Sequence, residues 1–274
     1  MITGCKIKNI LSISKLYTFF RRRFPEGFFF RGESHDFYEV VCVISGRVGI
    51  TAGNRVFVLN EGEMTIHTPG EFHAIREEGE SEPEVIIFSF SAVAFPTVSA
   101  RIFTLSIELK EEIVKIYDSL PEIFDMGKVR ILEVKPSQDV AAALAMKRTE
   151  MFLLSALSEK NAAQSAPEVK NTELFSSILS VMEENLSRKI NLEFLAKQCG
   201  ISVPTLEKTV YRYLGYGVMA HCNTLKMQHA HTLLLEGKSV KETASQLGFS
   251  NQNYFSARFK KHYGYPPSRV FEKT

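Results

Sequence analysis

The sequence predicts an α+β protein: a β-barrel domain with a helical segment, followed by an all-α domain with two helix-turn-helix units joined by a long helix. Short β-rich runs alternate with turn residues between positions 15 and 92. From position 106 onward, apolar residues recur at helical spacing. The last hundred residues also repeat a short pattern 48 positions apart. A chain of 274 residues has room for about two domains.

Seven runs in the first part have the length and composition of strands. They are Lys15–Phe20, Phe28–Phe30, Phe37–Ile44, Arg47–Thr51, Arg55–Leu59, Met64–His67 and Val85–Ser91. Turns such as Ser45-Gly46 and Pro69-Gly70 separate them, because glycine tolerates the positive φ of tight hairpins. This regular spacing favours a sandwich or barrel, and a small barrel can enclose one ligand.

Two amphipathic helices are predicted next, over residues 106–124 and 137–158. Pro121 is expected to end or kink the first helix, and Ser137 to cap the second. The helical period is then lost, which indicates a linker. The predicted division is a barrel at 1–95, a helical segment at 96–160, a linker at 161–171 and the all-α domain at 172–274.

Composition narrows the class of protein. With 45% hydrophobic and 23% charged residues, the chain is expected to fold rather than stay disordered. No apolar run approaches the ~18 residues that span a bilayer, and Lys6, Lys8 and Lys15 make the N-terminus a poor signal peptide. Four scattered cysteines form no CxxC pair. We therefore expect a cytoplasmic protein with reduced thiols and no membrane partner.

Charge is divided unevenly along the chain. Residues 1–169 carry a net charge of −4, whereas residues 170–274 carry +6. Such asymmetry is typical of a nucleic-acid-binding module joined to a domain of another kind.

The 48-residue repeat has the pattern of a helix-turn-helix. Ala196-x-x-x-Gly200-Ile201-Ser202 matches Ala244-x-x-x-Gly248-Phe249-Ser250. A small alanine lets two helices approach closely, glycine takes the left-handed turn, and a serine caps the second helix; in the second unit Ser250 or Asn251 could be that cap. The helix predicted between the units, residues 218–236, is about 28 Å long. It could therefore place the two recognition helices about one DNA turn apart, roughly 34 Å.

At these residues the sequence resembles the AraC/XylS family of transcription regulators. The run from Gly248-Phe249-Ser250-Asn251-Gln252 to Tyr263-Gly264-Tyr265-Pro266-Pro267 is similar to the family signature around its second helix-turn-helix, and the resemblance covers residues 172–270. Ala257 departs from the family pattern, which often has arginine there. The resemblance implies sequence-specific binding to double-stranded DNA and regulation of transcription.

Fifteen residues are predicted to contact DNA. They are Ser202, Pro204, Thr205, Glu207, Lys208, Tyr211, Arg212, Ser250, Asn251, Gln252, Asn253, Ser256, Arg258, Lys260 and Lys261. Gln252 and Asn253 suit bidentate reading of adenine, and Glu207 could accept from a cytosine amino group. The basic residues are better placed for phosphates, which give affinity without sequence information.

The β-rich part resembles the cupin barrel. Glu33-Ser34-His35-Asp36-Phe37-Tyr38-Glu39 and Pro69-Gly70-Glu71-Phe72-His73 match its two motifs, with Glu33 in place of the first histidine. In metal-binding cupins the corresponding set holds a metal, and Glu33, His35, Glu39 and His73 could hold Fe, Mn or Zn. We expect instead no metal and no cofactor, because sensor cupins need none and the histidines could simply line a pocket.

An effector pocket is predicted around His35, Tyr38, Glu39 and His73. The phenylalanine-rich segment between Phe19 and Phe30 is expected to be barrel core, and Arg21–Arg23 a solvated strand end.

The sequence thus predicts a transcription regulator, by resemblance an activator rather than a repressor, controlled by an unknown small-molecule effector in the barrel. The resemblance also implies a homodimer, and an activator would contact RNA polymerase. Two alternatives stay open. One is a metal-dependent cupin enzyme, which would have no need of residues 172–270, so no enzymatic activity is predicted. The other is a regulator whose barrel only dimerises.

Overall fold

The computed structural model describes residues 5, 7–53, 55–79, 82–98, 101–127, 131–158, 172–188 and 190–272. It divides into two compact units, Met1–Val169 and Lys170–Thr274. The predicted linker at 161–171 lies outside the described residues. Within the described part of the chain, no helix is long and apolar enough to cross a membrane.

The first unit is mainly antiparallel β-structure, as predicted. Its strands are β1 (Ser12–Arg23), β2 (Phe29–Glu33), β3 (Tyr38–Ser45), β4 (Arg47–Ala52), β5 (Arg55–Asn60), β6 (Glu63–His67), β7 (His73–Glu77), β8 (Glu84–Ala94), β9 (Phe103–Thr104), β10 (Phe124–Met126) and β11 (Ile131–Val134). A five-stranded sheet has the order β1-β8-β3-β6-β9, and a four-stranded sheet has the order β2-β7-β4-β5. Strands β10 and β11 form a separate hairpin. Together with the helices that follow, this confirms the α+β fold class.

Strands β3 and β8 are buried on both faces, which explains their nearly continuous apolar sequences. Side chains alternate along a strand. Val40 and Cys42 pack in one core, which also holds residues of the two helices after β9, whereas Val41 and Val43 pack in a second core with residues of the four-stranded sheet.

The two helices of this unit are α1 (Ile107–Ile123) and α2 (Asp139–Ser158). Ser106 caps α1, accepting a hydrogen bond from the Leu109 amide, and Pro121 lies inside the last turn, so the helix runs two residues past it. The prediction that Ser137 caps α2 is wrong. Ser137 has a φ of +65°, and the α2 amide of Ala142 donates to the carbonyl of Gln138.

Helix α2 turns a different face to the core than its apolar residues suggest. Ala142, Ala145, Phe152 and similar side chains are buried against the sheet. Three larger apolar residues point to solvent, with exposures of 84% for Val140, 60% for Leu144 and 67% for Met151.

The second unit is all α. Its helices are α3 (Thr172–Glu184), α4 (Leu192–Gln198), α5 (Val203–Leu214), α6 (Val218–Leu235), α7 (Val240–Gln246) and α8 (Gln252–Tyr263), followed by a short 3₁₀ helix, Pro267–Glu272. Helices α3, α4 and α5 contact one another, and α6 contacts α5 as well as α7 and α8. Phe255 and Phe259 are fully buried in the core around α7 and α8.

Both helix-turn-helix turns contain a glycine in the left-handed region. Gly200 has a φ of +67° and Gly248 a φ of +70°. Their surroundings differ. A Cβ at Gly248 would lie 2.6 Å from the carbonyl oxygen of Ser187, in the segment after α3, whereas nothing lies within 4 Å of a Cβ at Gly200.

Lys226 of α6 joins that same segment to the second helix-turn-helix. Its Nζ donates to the carbonyl of Arg188 at 2.8 Å and to the carbonyl of Leu247 at 2.9 Å. Its ammonium also lies 5.4 Å from the centre of the Phe249 ring. The segment after α3 is therefore fixed against the turn that carries Gly248.

We expect Gly248→Ala to destabilise the chain more than Gly200→Ala. Both substitutions put a side chain at positive φ, which costs about 1–2 kcal/mol. Only the Cβ at 248 would also meet backbone that cannot move aside, so at least about 2 kcal/mol more should be lost there. Urea unfolding of the two full-length variants, compared with the unchanged chain, measures both losses. Equal losses would contradict the close approach at Gly248.

Candidate functional site

The second helix of the first helix-turn-helix, α5, has one buried and one solvent face. Ser202 caps it, accepting from the amide of Thr205, and Leu206 and Val210 are buried beneath it. The predicted DNA contacts all lie on the other face. Ser202, Pro204, Thr205, Glu207, Lys208, Tyr211 and Arg212 are exposed.

Helix α8, the second helix of the second helix-turn-helix, also has one buried and one solvent face. Phe255 and Phe259 are buried. Of the predicted contacts, Ser250, Asn251, Gln252, Asn253, Lys260 and Lys261 are exposed, and Ser256 and Arg258 are half-buried.

The structure decides which residue caps α8. The side chain of Asn251 accepts from the amides of Asn253 and Tyr254, so Asn251 and not Ser250 is the cap. The repeat spacing is therefore 48 residues up to the turn and 49 residues from cap to cap. Sequence reasoning missed the consequence, which is that exposed Tyr254 and Ala257 occupy the positions of Thr205 and Lys208 in α5.

The two capped helices offer a surface suited to an anionic duplex. Exposed side chains near each cap lie where a recognition helix contacts base edges, because such helices enter the groove with their N-terminal residues. Arg212, Lys260 and Lys261 lie in the last turns, and this part of the chain carries the excess of positive charge.

A cavity of about 760 Å³ opens inside the first unit. Its lining is mainly aromatic and aliphatic, with a few polar side chains, which is the usual composition of a small-molecule site. It is lined by Leu16, Tyr17, Thr18, Phe20, Arg22, Phe24, Phe28, Phe30, Glu33, Phe37, Glu39, Val41, His67, His73, Ala74, Ile75, Ile87, Ser89 and Ile131.

Two carboxylates and two imidazoles meet at one edge of this cavity, where Glu33, Glu39 and His73 line it and His35, predicted to line it, does not. Glu33 ends β2 and is the register partner of His73 at the start of β7. Glu39 lies on β3 of the other sheet, and His35 lies in the loop between β2 and β3. One donor atom from each of these four side chains lies within 4.8 Å of all the others.

Glu39 is the centre of this group. Its Oε1 lies 3.2 Å from Nε2 of His73, and its Oε2 lies 3.7 Å from Nε2 of His35. Burial raises the pKa of Glu39, but the two histidines outweigh burial and lower its pKa to about 2. The carboxylate is therefore ionised at neutral pH.

His67 stands beside this group and was missed by sequence reasoning. It is buried, its ring stacks on His73 at 4.4 Å, and its Nδ1 lies 3.4 Å from Oε2 of Glu71. Burial lowers the pKa of His67 to about 4, so it is neutral. The alternation of strand β6 could have located it, since Thr65 is also buried and residues two apart share a face.

Two predictions about residues near the cavity differ from the structure. Tyr38 stacks on Phe90 and Phe95 and does not line the cavity, because it points to the opposite side of β3 from Glu39. Arg22 is exposed but lines the cavity, 5.2 Å from the centre of the Phe28 ring, whereas Arg21 and Arg23 pair with Glu84.

The phenylalanine-rich segment, predicted to be barrel core, contributes side chains both to the core and to the lining of the cavity. Phe19 is buried in the core shared with the helices, whereas Phe20, Phe24, Phe28 and Phe30 line the cavity.

The four side chains that resemble the cupin metal set are chemically suited to a metal. Imidazole nitrogens and carboxylate oxygens are ligands of Fe, Mn and Zn. The Nε2 atoms of His35 and His73 are buried and make no hydrogen bond to the described residues. The set of donors therefore fits such an ion.

Comparisons with known proteins match both units. A family model described as an AraC-like ligand binding domain matches residues 18–112, and one described as a helix-turn-helix domain matches residues 195–273. The HTH-type transcriptional regulator in the cgkA 5′ region of Pseudoalteromonas carrageenovora is 31% identical over 125 residues, which cover 44% of this chain and 74% of that protein. The chain belongs to the AraC family of transcription regulators.

A second AraC-family comparison extends over most of the chain. The virulence regulon transcriptional activator VirF of Yersinia enterocolitica is 23% identical over 249 residues, covering 88% of this chain and 91% of that protein. A crystal structure of an apo ToxT variant from Vibrio cholerae covers 96% of this chain and all of that one, with 12% identity and a TM-score of 0.40. The AraC-like ligand-binding match includes most of the residues that line the cavity, and the helix-turn-helix match includes both α5 and α8.

Proposed function

We propose that the chain is a DNA-binding transcription activator, controlled by a small molecule in the cavity of its first unit. Family membership supports transcription regulation, and the activator VirF supports the direction of control. RNA polymerase would then be a partner. The proposal assigns no enzymatic reaction to the chain and expects it in the cytoplasm, where it has access to DNA.

The observation that supports DNA recognition is that α5 and α8 expose side chains at equivalent positions after their caps. In both α5 and α8, the second and third residues after the cap are exposed, while the residues at the fourth and eighth positions after Ser202 and Asn251 are buried. Helix α6 has 18 residues and spans about 27 Å. We expect the two half-sites to lie about 10 base pairs apart on one face of the duplex. Selection from a randomised oligonucleotide pool with the full chain tests this, and recovery of no sequence preference would contradict it.

Gln252→Ala and Lys260→Ala should weaken DNA binding in different ways. Gln252 lies where it can read a base edge, so its loss should cost roughly 1–3 kcal/mol at one base position and relax the preference there. Lys260 lies where it can meet a phosphate, so its loss should weaken all sequences alike and reduce the salt slope by about 1. Binding to the selected site and its single-base variants at several salt concentrations measures both effects. If the two variants lose affinity in the same pattern, the assigned roles are wrong.

The cavity supports control by an effector with an apolar body. Phenylalanine and aliphatic side chains provide most of the lining, with carboxylates and imidazoles on one side and Arg22 on another. Such a ligand can shift a regulator only if it binds its two states with different affinity.

Filling the cavity should prevent ligand binding. Ala74 is buried and lines the cavity, so Ala74→Phe places a ring inside it. The affinity for the apolar fluorescent probe 8-anilinonaphthalene-1-sulfonate should fall at least about tenfold, or 1.4 kcal/mol. Val93→Phe, at a residue of β8 in the other sheet that is 82% exposed, adds the same ring outside the cavity and is the control.

The same probe allows a search for the effector. Compounds that displace it from the cavity would be tested for a change in DNA affinity. A compound that saturates the cavity and leaves DNA affinity unchanged would argue against effector control and favour a barrel that only dimerises.

We also infer that the chain forms a homodimer through α2. Val140, Leu144 and Met151 lie along one face of α2, with Lys147 between them, and large apolar side chains are rarely left exposed in a row. A second copy could cover this stripe by the same stripe, as two-fold symmetry requires.

Leu144→Glu should weaken the dimer, because it places a charge in the apolar stripe. We expect the dissociation constant of the dimer to rise at least about tenfold. Ile107→Glu makes the same chemical change at a residue of α1 that is 75% exposed, and should have no effect. Sedimentation equilibrium distinguishes the 31.0 kDa chain from its dimer. A purely monomeric unchanged chain at micromolar concentration would refute the inference.

A further inference from the structure

We propose that Glu33, His35, Glu39 and His73 bind a divalent first-row transition metal ion, and that this ion forms part of the effector site. This revises the expectation from sequence that the barrel holds no metal. Metal binding itself does not depend on the proposed function. The part of the inference that concerns the effector rests on it.

The hydrogen bonds of the two histidines fix which ring nitrogen carries the proton. Nδ1 of His35 lies 3.0 Å from the carbonyl oxygen of Phe37, and Nδ1 of His73 lies 3.0 Å from the carbonyl oxygen of Glu71. A carbonyl oxygen can only accept a hydrogen bond, so both Nδ1 atoms must donate. In a neutral imidazole, Nε2 is then a lone-pair acceptor.

Those lone pairs point toward a carboxylate. Both Nε2 atoms lie nearest to Glu39, whose ionised oxygens are also acceptors only. Acceptors facing each other at 3.2 and 3.7 Å in a buried site repel unless positive charge, either a proton on an imidazole or a cation, lies between them. The arrangement therefore has a place for positive charge at the point where the three side chains meet.

The identity of the donors favours a metal ion. Metal–nitrogen and metal–oxygen bonds of about 2.0–2.2 Å put two ligands of one ion at most about 4.4 Å apart. The four donor atoms lie within 4.8 Å of one another, so shifts of a few tenths of an ångström would bring them all to bonding distance. Two imidazoles with two carboxylates suit Mn²⁺, Fe²⁺ or Zn²⁺.

Two backbone carbonyls support the histidine ligands, and His67 lies beside them without contributing a ligand atom. A metal-bound histidine usually donates its other N–H to a carbonyl or carboxylate, as both histidines do here. His67 contacts the ring of His73, but its Nδ1 faces Glu71, which also pairs with Arg101. His67 is thus a buried histidine at the same place that is not a ligand.

The cavity gives the ion a route to the effector. Glu33, Glu39 and His73 all line it. Four protein ligands leave one or two positions open on a five- or six-coordinate ion. An effector that carries a metal-coordinating oxygen or nitrogen could occupy them.

Metal binding is tested on the full chain, stripped with a chelator and dialysed against micromolar Zn²⁺, Mn²⁺ or, without oxygen, Fe²⁺. Mass spectrometry of the bound metal should show about one ion per chain for at least one of the three. Glu39→Gln and His73→Gln should each raise the dissociation constant at least about tenfold, the usual range for the loss of a ligand or its support. His67→Gln removes a neighbouring buried histidine and should leave the dissociation constant within about twofold.

Co²⁺ provides a second readout that needs no variant. Added to the stripped chain, it should give visible absorption bands that an excess of Zn²⁺ abolishes. Less than a tenth of an ion per chain for all three metals would overturn the proposal. So would equal losses in His67→Gln and His73→Gln, or full binding in a folded Glu39→Gln variant.

A further comparison keeps this inference separate from the proposed function. DNA binding of the stripped chain is measured with and without a compound that occupies the cavity. If metal-free and metal-loaded chains respond equally to that compound, the ion has no part in the effector site although the proposed function stands. If the chain selects no DNA sequence, the proposed function fails, whereas the stoichiometry of the metal is decided independently.

Discussion

Burial of strands β3 and β8 on both faces is the constraint on which the first unit depends. Since successive side chains point to opposite faces, each residue of β3 is assigned to one of two cores. Val40 and Cys42 pack with the helices, and Val41 and Val43 pack toward the second sheet. The same alternation turns Glu39 into the cavity and Tyr38 away from it. A slip of one residue would bury the Glu39 carboxylate among phenylalanines, so the apolar core itself fixes where the polar side chains of the cavity lie.

In the second unit, the arrangement of the helices depends on a single ammonium group that joins two segments. Lys226 donates to two carbonyls that belong to separate segments, Arg188 after α3 and Leu247 at the end of α7. Carbonyls at a helix end lack partners within the helix, and a charged donor satisfies them strongly. Because Gly248 packs on the same segment, the second turn is held against the first half of the unit. The spacing of the two recognition helices thus depends on this contact as well as on the length of α6.

Much of this architecture could be predicted from the sequence, because it depends on local chemistry. Strand periodicity, the cap at Ser202 and the left-handed glycines at 200 and 248 are all properties of short segments, and the structure confirms them. The family resemblance is confirmed as well. The errors arise where packing decides. Small residues such as Ala142 and Ala145 form the buried face of α2, since a close approach to the sheet leaves no room for larger ones.

In the candidate sites too, local motifs could be predicted from the sequence, whereas features set by packing could not. Glu33, His35, Glu39 and His73 could be singled out by their motif, but sequence gives no orientation of a ring nitrogen, and that orientation is what turns both Nε2 atoms toward the Glu39 carboxylate. His67 and Arg22 enter the cavity only because strands distant in sequence meet there. The added residue at Asn251 shifts the register of α8 by one position relative to α5 and leaves Tyr254 exposed, which only the observed cap reveals.

The distribution of charge around the cavity constrains the ligand it can take. Through strand pairing, Arg22 lies level with Val43 on β3, since both are partners of Val85, whereas Glu39 pairs with Ser89. Four residues of β3 separate the two levels, about 13 Å at 3.3 Å per residue. An anionic group on a ligand would therefore be attracted to the level of Arg22 and repelled by Glu33 and Glu39, unless a cation occupies the space between the carboxylates and imidazoles. The ion would thus decide which end of a ligand enters first, so that cation binding and ligand orientation in this cavity are expected to be thermodynamically linked.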